Sequence, residues 1–312
     1  MKMKQKIINY FNKKEIKYGL IFASFFIFFF FRSFYLKMKR KKYENVSKSK
    51  FQENIKYMQD DLTLVTAYYK IKSKHTYSEY LKRLNSFMQL NHSIVFFTSK
   101  SLVNTLKEMR PKHLLNKTVF IETEIEDFYS YKNFGKEFNK TFYKDRERRY
   151  HTVPLYIVWA EKCTFLKKAI LSNYFNSKCF YWVDAGYFMT CYSISKYINW
   201  PSTKKCCEEP RVLISSLRIV NDSERNDLLN FDFKAHKRLQ RRNTVGAGVF
   251  GGHPNNVLKF IDYYYDTIRL FISHNIFIGK EQNLFAFVTL SHPEIIKLVP
   301  SKGFHFFVKY LS

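Results

Sequence analysis

Cys179-Phe-Tyr-Trp-Val-Asp-Ala-Gly186 is a run of five apolar residues, then a carboxylate, then a glycine two positions on. A short continuous apolar run of this kind reads as a strand buried on both faces, ending at Asp184. Upstream, Leu62-Thr-Leu-Val-Thr-Ala-Tyr-Tyr69, Ser93-Ile-Val-Phe-Phe-Thr98 and Thr118-Val-Phe-Ile-Glu122 have the same character, with a helical stretch near Tyr77–Asn91. Pro154 opens a helix in which Leu155, Trp159, Cys163, Leu166 and Ile170 share one face. Downstream, Arg211–Ile219 and Gly248-Val-Phe-Gly251 read as strands. His253-Pro254 starts a helix striped by Val257, Ile261, Tyr264 and Ile268, and Gly279–Leu290 is the last helix candidate. Strands alternating with helices predict an α/β domain with a mostly parallel sheet flanked by helices. Ligands of such sheets lie beyond the carboxyl ends of the strands, so Asp184 stands where chemistry is expected.

Composition narrows the class. The 312 residues carry 53 Lys+Arg against 26 Asp+Glu, and 46% are hydrophobic. That apolar content excludes wholesale disorder, and the composition excludes collagen-like, coiled-coil and disulfide-scaffold chains. Residues 1–42 hold twelve basic residues and one acid, so a +27 chain concentrates +11 in its first segment. This segment brackets Gly19–Phe31, an apolar run that extends as Tyr18–Leu36 with Arg32 able to snorkel. We read 1–17 as a short basic cytosolic tail, 18–36 as a transmembrane signal anchor, 37–60 as a polar stem and 61–312 as the folded domain. A cleaved signal peptide would need small residues near Phe31–Tyr35, and a soluble core helix would be amphipathic. The implied topology is a type II single-pass protein of the endoplasmic reticulum or Golgi, with the domain in the lumen. Five glycosylation sequons (Asn45, Asn91, Asn116, Asn139, Asn221) agree with that route, although an Asn-rich chain nearly accounts for them. Five cysteines without paired C-x-x-C spacing argue against a zinc site; they permit one disulfide and demand none.

Glycine is scarce, with nine in the chain, and seven fall between 186 and 303. They gather beside polar residues, where ordinary turns are the simplest reading and a site the sharper one. Asp184, before Gly186, either caps a turn or holds Mg²⁺ or Mn²⁺, which take oxygen ligands and complete their shells with phosphates. Gly246-Ala-Gly248-Val-Phe-Gly251-Gly252 mimics a dinucleotide fingerprint but comes late and without the βαβ context that motif needs. It reads as a flexible loop that lets a sugar-like ligand approach, with Arg241 or Arg242 available to phosphate. Glu281 is either a general base for an acceptor hydroxyl or a first-turn acid favoured by the helix dipole. His305, between two phenylalanines, is either structural or a metal ligand.

Taken together, Leu62–Tyr69, Ile94-Val-Phe-Phe-Thr, Val158-Trp-Ala-Glu-Lys, Trp182-Val-Asp-Ala-Gly and Gly246–Gly252 resemble the HtrL/YibB family of glycosyltransferase-like proteins, from about Leu62 to Ser312. The resemblance implies a GT-A-like nucleotide-sugar transferase in which a D-x-D motif after a central strand holds a divalent ion against the donor diphosphate. On that pattern Asp184 is the metal carboxylate, His305 the C-terminal ligand and Glu281 the late acid. Thr66 and Tyr68 lie near the nucleotide, and the acceptor is a hydroxyl on a glycan, lipid or protein. The second acid of the motif is Gly186 here, which leaves one carboxylate. The competing classes are a non-enzymatic, basic, membrane-tethered binder and a catalytically inactive transferase-like domain. No nucleic-acid partner is expected, since Lys37–Lys42 abuts the membrane segment and Lys144–Arg149 mixes signs as a solvated face does.

Overall fold

The computed structural model describes residues 58–188, 194–301 and 304–312. The expected tail, anchor and most of the stem lie outside these residues, and no helix among them is long and apolar enough to cross a membrane.

Every residue of Leu62–Tyr68 (β1) is buried, because both faces of the strand are covered. Leu62, Leu64 and Tyr68 face one layer of helices, while Val65, Ala67 and Tyr69 face the other. The same alternation divides Cys179–Val183 (β4) into Cys179, Tyr181 and Val183 against Phe180 and Trp182. With Ser93–Thr98 (β2), Thr118–Glu122 (β3), Val212–Ser216 (β5), Val245–Gly252 (β6) and Ile296–Pro300 (β7), these strands form one sheet ordered β3-β2-β1-β4-β6-β5-β7. Strands β3, β2, β1 and β4 are mutually parallel, as are β5 and β7, whereas β6 runs antiparallel to both β4 and β5. The chain builds outward from β1 to β3, then returns to lay β4 on the other flank of β1. The order therefore reverses between β1 and β4, the place where open sheets of this kind leave a crevice.

Helices Tyr77–Met88 (α1), Val103–Met109 (α2), Tyr129–Thr141 (α3), Val153–Ser172 (α4), Thr203–Glu208 (α5), Asp222–Leu229 (α6), Phe233–Leu239 (α7), Pro254–Ser273 (α8), Glu281–Ser291 (α9) and Phe304–Tyr310 (α10) complete the domain. Helix α1 starts at a capping box: Thr76 Oγ1 accepts from the Glu79 N–H, and the Thr76 N–H donates to Glu79 Oε2 at 2.7 Å. It buries Leu84, Phe87 and Met88 against the β1–β2 side. Helix α4 is different, being buried almost all round and packed under α3, α8 and α9. Its Phe165 stacks on Phe97 at 4.4 Å and on Trp182 at 6.2 Å. A fully buried ring of this size stabilises the fold by roughly 1.5–3 kcal/mol.

The strands and helices expected from the apolar runs are present within a few residues. Helices α2, α3, α5, α6, α7 and α10, strand β7 and the reversed direction of β6 were not anticipated. Gly246–Gly252 is also corrected: it is a strand inside the sheet rather than a flexible loop. Its glycine content reflects crowding. A Cβ on Gly251 would sit 2.6 Å from Tyr181 Cα, closer than side chains pack, so only glycine lets β6 lie against β4 there. Among the described residues one disulfide forms, Cys179–Cys207, and it closes the segment that carries Asp184.

Candidate active site at the carboxyl edge of the sheet

Asp184 follows β4 directly at the reversal between β1 and β4, and its backbone N–H donates to Gly248 O at 2.8 Å. Its Oδ1 is fully engaged. It accepts from Trp182 Nε1 at 2.7 Å and pairs with Lys162 Nζ at 2.8 Å. Its Oδ2 has no protein donor among the described residues, and the side chain is 37% exposed. One oxygen is thus fixed from within while the other faces whatever enters the crevice.

Lys162 comes from the buried side of α4 and is only 3% exposed. It bridges Asp184 to Glu281 Oε1, 3.0 Å away, and its ammonium lies 5.8 Å from the centre of the Trp182 ring. Burial alone would lower the Lys162 pKa, but Asp184 and then Glu281 outweigh it and hold the group above its ordinary value. The lysine therefore stays charged and keeps two carboxylates in register. Glu281 opens α9, where its charge also suits the helix dipole, and at 8% exposure it is nearly sealed.

Of the two glycines nearest the mouth, Gly248 abuts Asp184 and Gly186 abuts α1. A Cβ on Gly248 would meet the Tyr187 ring at 3.1 Å and Asp184 Oδ2 at 3.3 Å. A Cβ on Gly186 would meet Tyr80 Cε1 at 3.3 Å and Arg83 Cδ at 3.6 Å. That contact gives a physical reason for the missing second acid, since a carboxylate there would have to displace Tyr80. Tyr80 in turn lies 5.6 Å from the ring of Tyr68 at the end of β1. The Tyr68 hydroxyl is pushed up to about 12, first by burial and then by Tyr77 and Tyr80. Thr66 is buried in β1, and its Oγ1 has no hydrogen-bond partner among the described residues.

Gly246 and Gly248 belong to the part of β6 that reaches the carboxyl edge, whereas Gly251 and Gly252 lie deeper, opposite Tyr181 and Phe180. Arg241 and Arg242 are exposed in the turn before β6. The His305 side chain lies outside what the structure describes, but its helix α10 is tied towards the site. Trp200 Nε1 donates to Val308 O at 3.0 Å, and the Trp200 ring stacks on Tyr187 at 6.1 Å. Among the described residues no three His, Cys, Asp or Glu side chains converge as a metal cluster. Asp184 Oδ2 alone fits one position of a hard divalent ion, of the kind whose remaining ligands are phosphate oxygens and water.

The family described as "bacterial protein of unknown function (HtrL_YibB)" matches residues 60–312. The chain belongs to the HtrL/YibB family. No curated protein sequence matches it. Among solved structures, mouse xyloside xylosyltransferase 1 in its apo form is similar at a TM-score of 0.42 and 11% identity, over 77% of this chain and 85% of that one. In this HtrL/YibB member the residue that sequence reasoning passed over is Lys162. A lysine in a helix ordinarily reads as solvent-facing. The available signal was its place between Ala160 and Phe165 in a helix with no polar face to spare.

Proposed function

We propose that this HtrL/YibB protein is a glycosyltransferase that moves a sugar from a nucleotide-linked donor to a hydroxyl acceptor, with the donor diphosphate held at Asp184. The observation that carries the reading is the half-occupied carboxylate: Asp184 Oδ1 is locked by Lys162 and Trp182 at the reversal of the sheet, and Oδ2, beside Gly248, has no protein donor among the described residues. A divalent cation held there by Asp184, with His305 as the second protein ligand, would neutralise charge on the leaving diphosphate. Lys162 pairs with Asp184 Oδ1 and adds positive potential under the phosphates. Tyr68 ends β1, with Thr66 buried behind it, on the side where the nucleoside would rest. Glu281 serves this arrangement as the second anchor of Lys162. Its Oε1 is taken up by Lys162 and its side chain is only 8% exposed, so a general-base role suits it less. The anchor at 18–36 and a lumenal domain belong to the same proposal, supported by the Cys179–Cys207 disulfide, a bond that persists in oxidising compartments.

The test is binding and cleavage of a panel of UDP- and GDP-sugars by the full chain, with and without Mn²⁺. Wild type is expected to bind at least one donor more tightly with Mn²⁺, and Asp184→Asn to lose that gain. A mutant with undiminished, metal-independent cleavage would remove Asp184 from the site.

A further inference from the structure

A second cluster stands at the rim of the same mouth. Helix α4 connects to the amino end of β4, so it runs against the parallel strands and its first turns project past their carboxyl ends. Just before it, His151 Nδ1 lies 2.8 Å from Asp145 Oδ2, which also accepts from the Tyr156 hydroxyl at 2.5 Å. The other Asp145 oxygen accepts from the Glu147 N–H at 2.9 Å, so the carboxylate is fully used and only 5% exposed. Burial alone would raise the Asp145 carboxyl, but the His151 and Tyr156 hydrogen bonds outweigh it and hold it below the usual carboxylate range. An ionised carboxylate on Nδ1 fixes the imidazole proton on that nitrogen, which leaves Nε2 as a proton acceptor. No described residue hydrogen-bonds Nε2, and the ring remains 15% exposed.

Contacts tie this pair to the loop after β1 and to the start of α9, the two segments that flank the Asp184 cluster. The Thr152 hydroxyl donates to Lys72 O at 3.4 Å, in the loop that leads from β1 towards Tyr77 and Tyr80. On the other flank, Lys280 Nζ pairs with Glu147 Oε2 at 3.1 Å, and Gly279 packs on the Tyr156 ring. Lys280 adjoins Glu281, which holds Lys162 and through it Asp184. Trp159, half-buried, sets its indole edge-on to His151 at 5.0 Å. An indole offers apolar surface to the C–H face of a sugar ring, and the imidazole beside it offers an acceptor for that sugar's hydroxyl proton.

We infer that His151 is the base for the acceptor hydroxyl and that Asp145 is its positioning residue, with a saccharide acceptor seated on Trp159. This rests on the transferase reading above. In the step, the acceptor oxygen bonds to the anomeric carbon as the bond from that carbon to the diphosphate oxygen breaks. The electron pair leaves with the diphosphate, and the hydroxyl proton passes to His151 Nε2. Asp145 stabilises the imidazolium until solvent takes the proton.

The experiment measures donor binding and donor cleavage by the full chain, with water or p-nitrophenyl glycosides as acceptors and the UDP- and GDP-sugar panel as donors. His151→Ala is expected to lower cleavage by about 10²–10⁴-fold, the usual worth of a positioned base, while donor affinity stays within about threefold. Added imidazole should restore at least about tenfold of the loss, because a free base can replace a missing one but not a missing structural contact. Asp145→Asn should fall between wild type and His151→Ala. Wild-type cleavage by His151→Ala overturns the inference. So does full recovery in His151→Gln, whose amide can still donate to Asp145 but cannot act as the base. If wild type binds no donor, the transferase reading falls and takes this inference with it. If wild type binds donor with dependence on Asp184 yet His151→Ala cleaves normally, only this inference falls.

Discussion

Two cations are buried at opposite edges of one sheet, and their partners differ in kind. Arg110, 2% exposed at the amino edge, meets only neutral groups. Its guanidinium donates to Met88 O at 2.6 Å, Leu90 O at 2.7 Å, His92 O at 2.9 Å and Thr118 Oγ1 at 2.8 Å. Lys162, at the carboxyl edge, meets two carboxylates, one of them open to solvent on its far side. The consequence shows in proton affinity: burial lowers Arg110 to about 10, while Asp184 and Glu281 overcome burial at Lys162 and raise it. The cage of three carbonyls and a hydroxyl takes four of the five guanidinium donors to close the end of α1 and the starts of β2 and β3, and it offers no charged group to a ligand. A lysine between carboxylates leaves the outer carboxylate half free. Burial of a charge therefore does not mark a site; an unfinished coordination around it does.

The comparison breaks most visibly if each cation is made apolar. Lys162→Met strands two acids and is expected to cost about 3–5 kcal/mol in urea unfolding, with donor binding lost even at temperatures where the variant is folded. Arg110→Met strands three carbonyls and should cost about 3 kcal/mol, yet the folded fraction should bind donor as wild type does. Normal donor binding by folded Lys162→Met would erase the distinction. The glycines of β6 sharpen the same contrast on a smaller scale. Gly251→Ala drives a methyl against the Tyr181 backbone and should cost about 1–3 kcal/mol with little effect on donor affinity per folded molecule. Gly248→Ala presses on Asp184 Oδ2 and a movable tyrosine ring, so titration should show donor affinity down by about tenfold with stability nearly kept. The smallest effect is at His92, whose carbonyl belongs to the Arg110 cage. Burial lowers its pKa, so the unfolded chain binds the proton more readily than the fold does. Its contribution to stability is complete above the ordinary histidine range and is lost as pH falls below about 6.5, with a slope of at most about 1.4 kcal/mol per pH unit. Unfolding curves of His92→Gln at pH 5 and 8 should differ less than those of wild type.

The strands were legible because both faces of the sheet are covered, which turns β1, β2 and β4 into unbroken apolar words in the sequence. Asp184 was legible for the same reason, as the first polar residue after such a word. Lys162 was not, because helical periodicity assigns lysines to solvent and only the packing of α8 and α9 over α4 removes that solvent. The Asp145–His151 pair hid in a run of mixed charges that reads as surface; Arg146, Arg148 and Arg149 are indeed exposed, while Asp145 turns inward beneath them. The direction of β6 could not be read at all, since a strand's apolar pattern is the same in either direction. Its glycines pointed to close approach, but the neighbour approached is the β4 backbone for Gly251, the chain entering β5 for Gly252, the Ser215 side chain for Gly246 and the candidate site for Gly248.

That reversed strand carries one more consequence. Ser216, at the end of β5, pairs with Val245, at the start of β6, so residues 217–244 leave and re-enter the sheet at a single register position. Helices α6 and α7 thus form an excursion at the mouth rather than a crossover beneath it. A crossover helix is a structural span whose length is set by the two strands it joins. An excursion has no such constraint, and residues can be added or removed there without shifting a strand. Swapping 217–244 between family members should therefore leave the strand register around Asp184 unchanged.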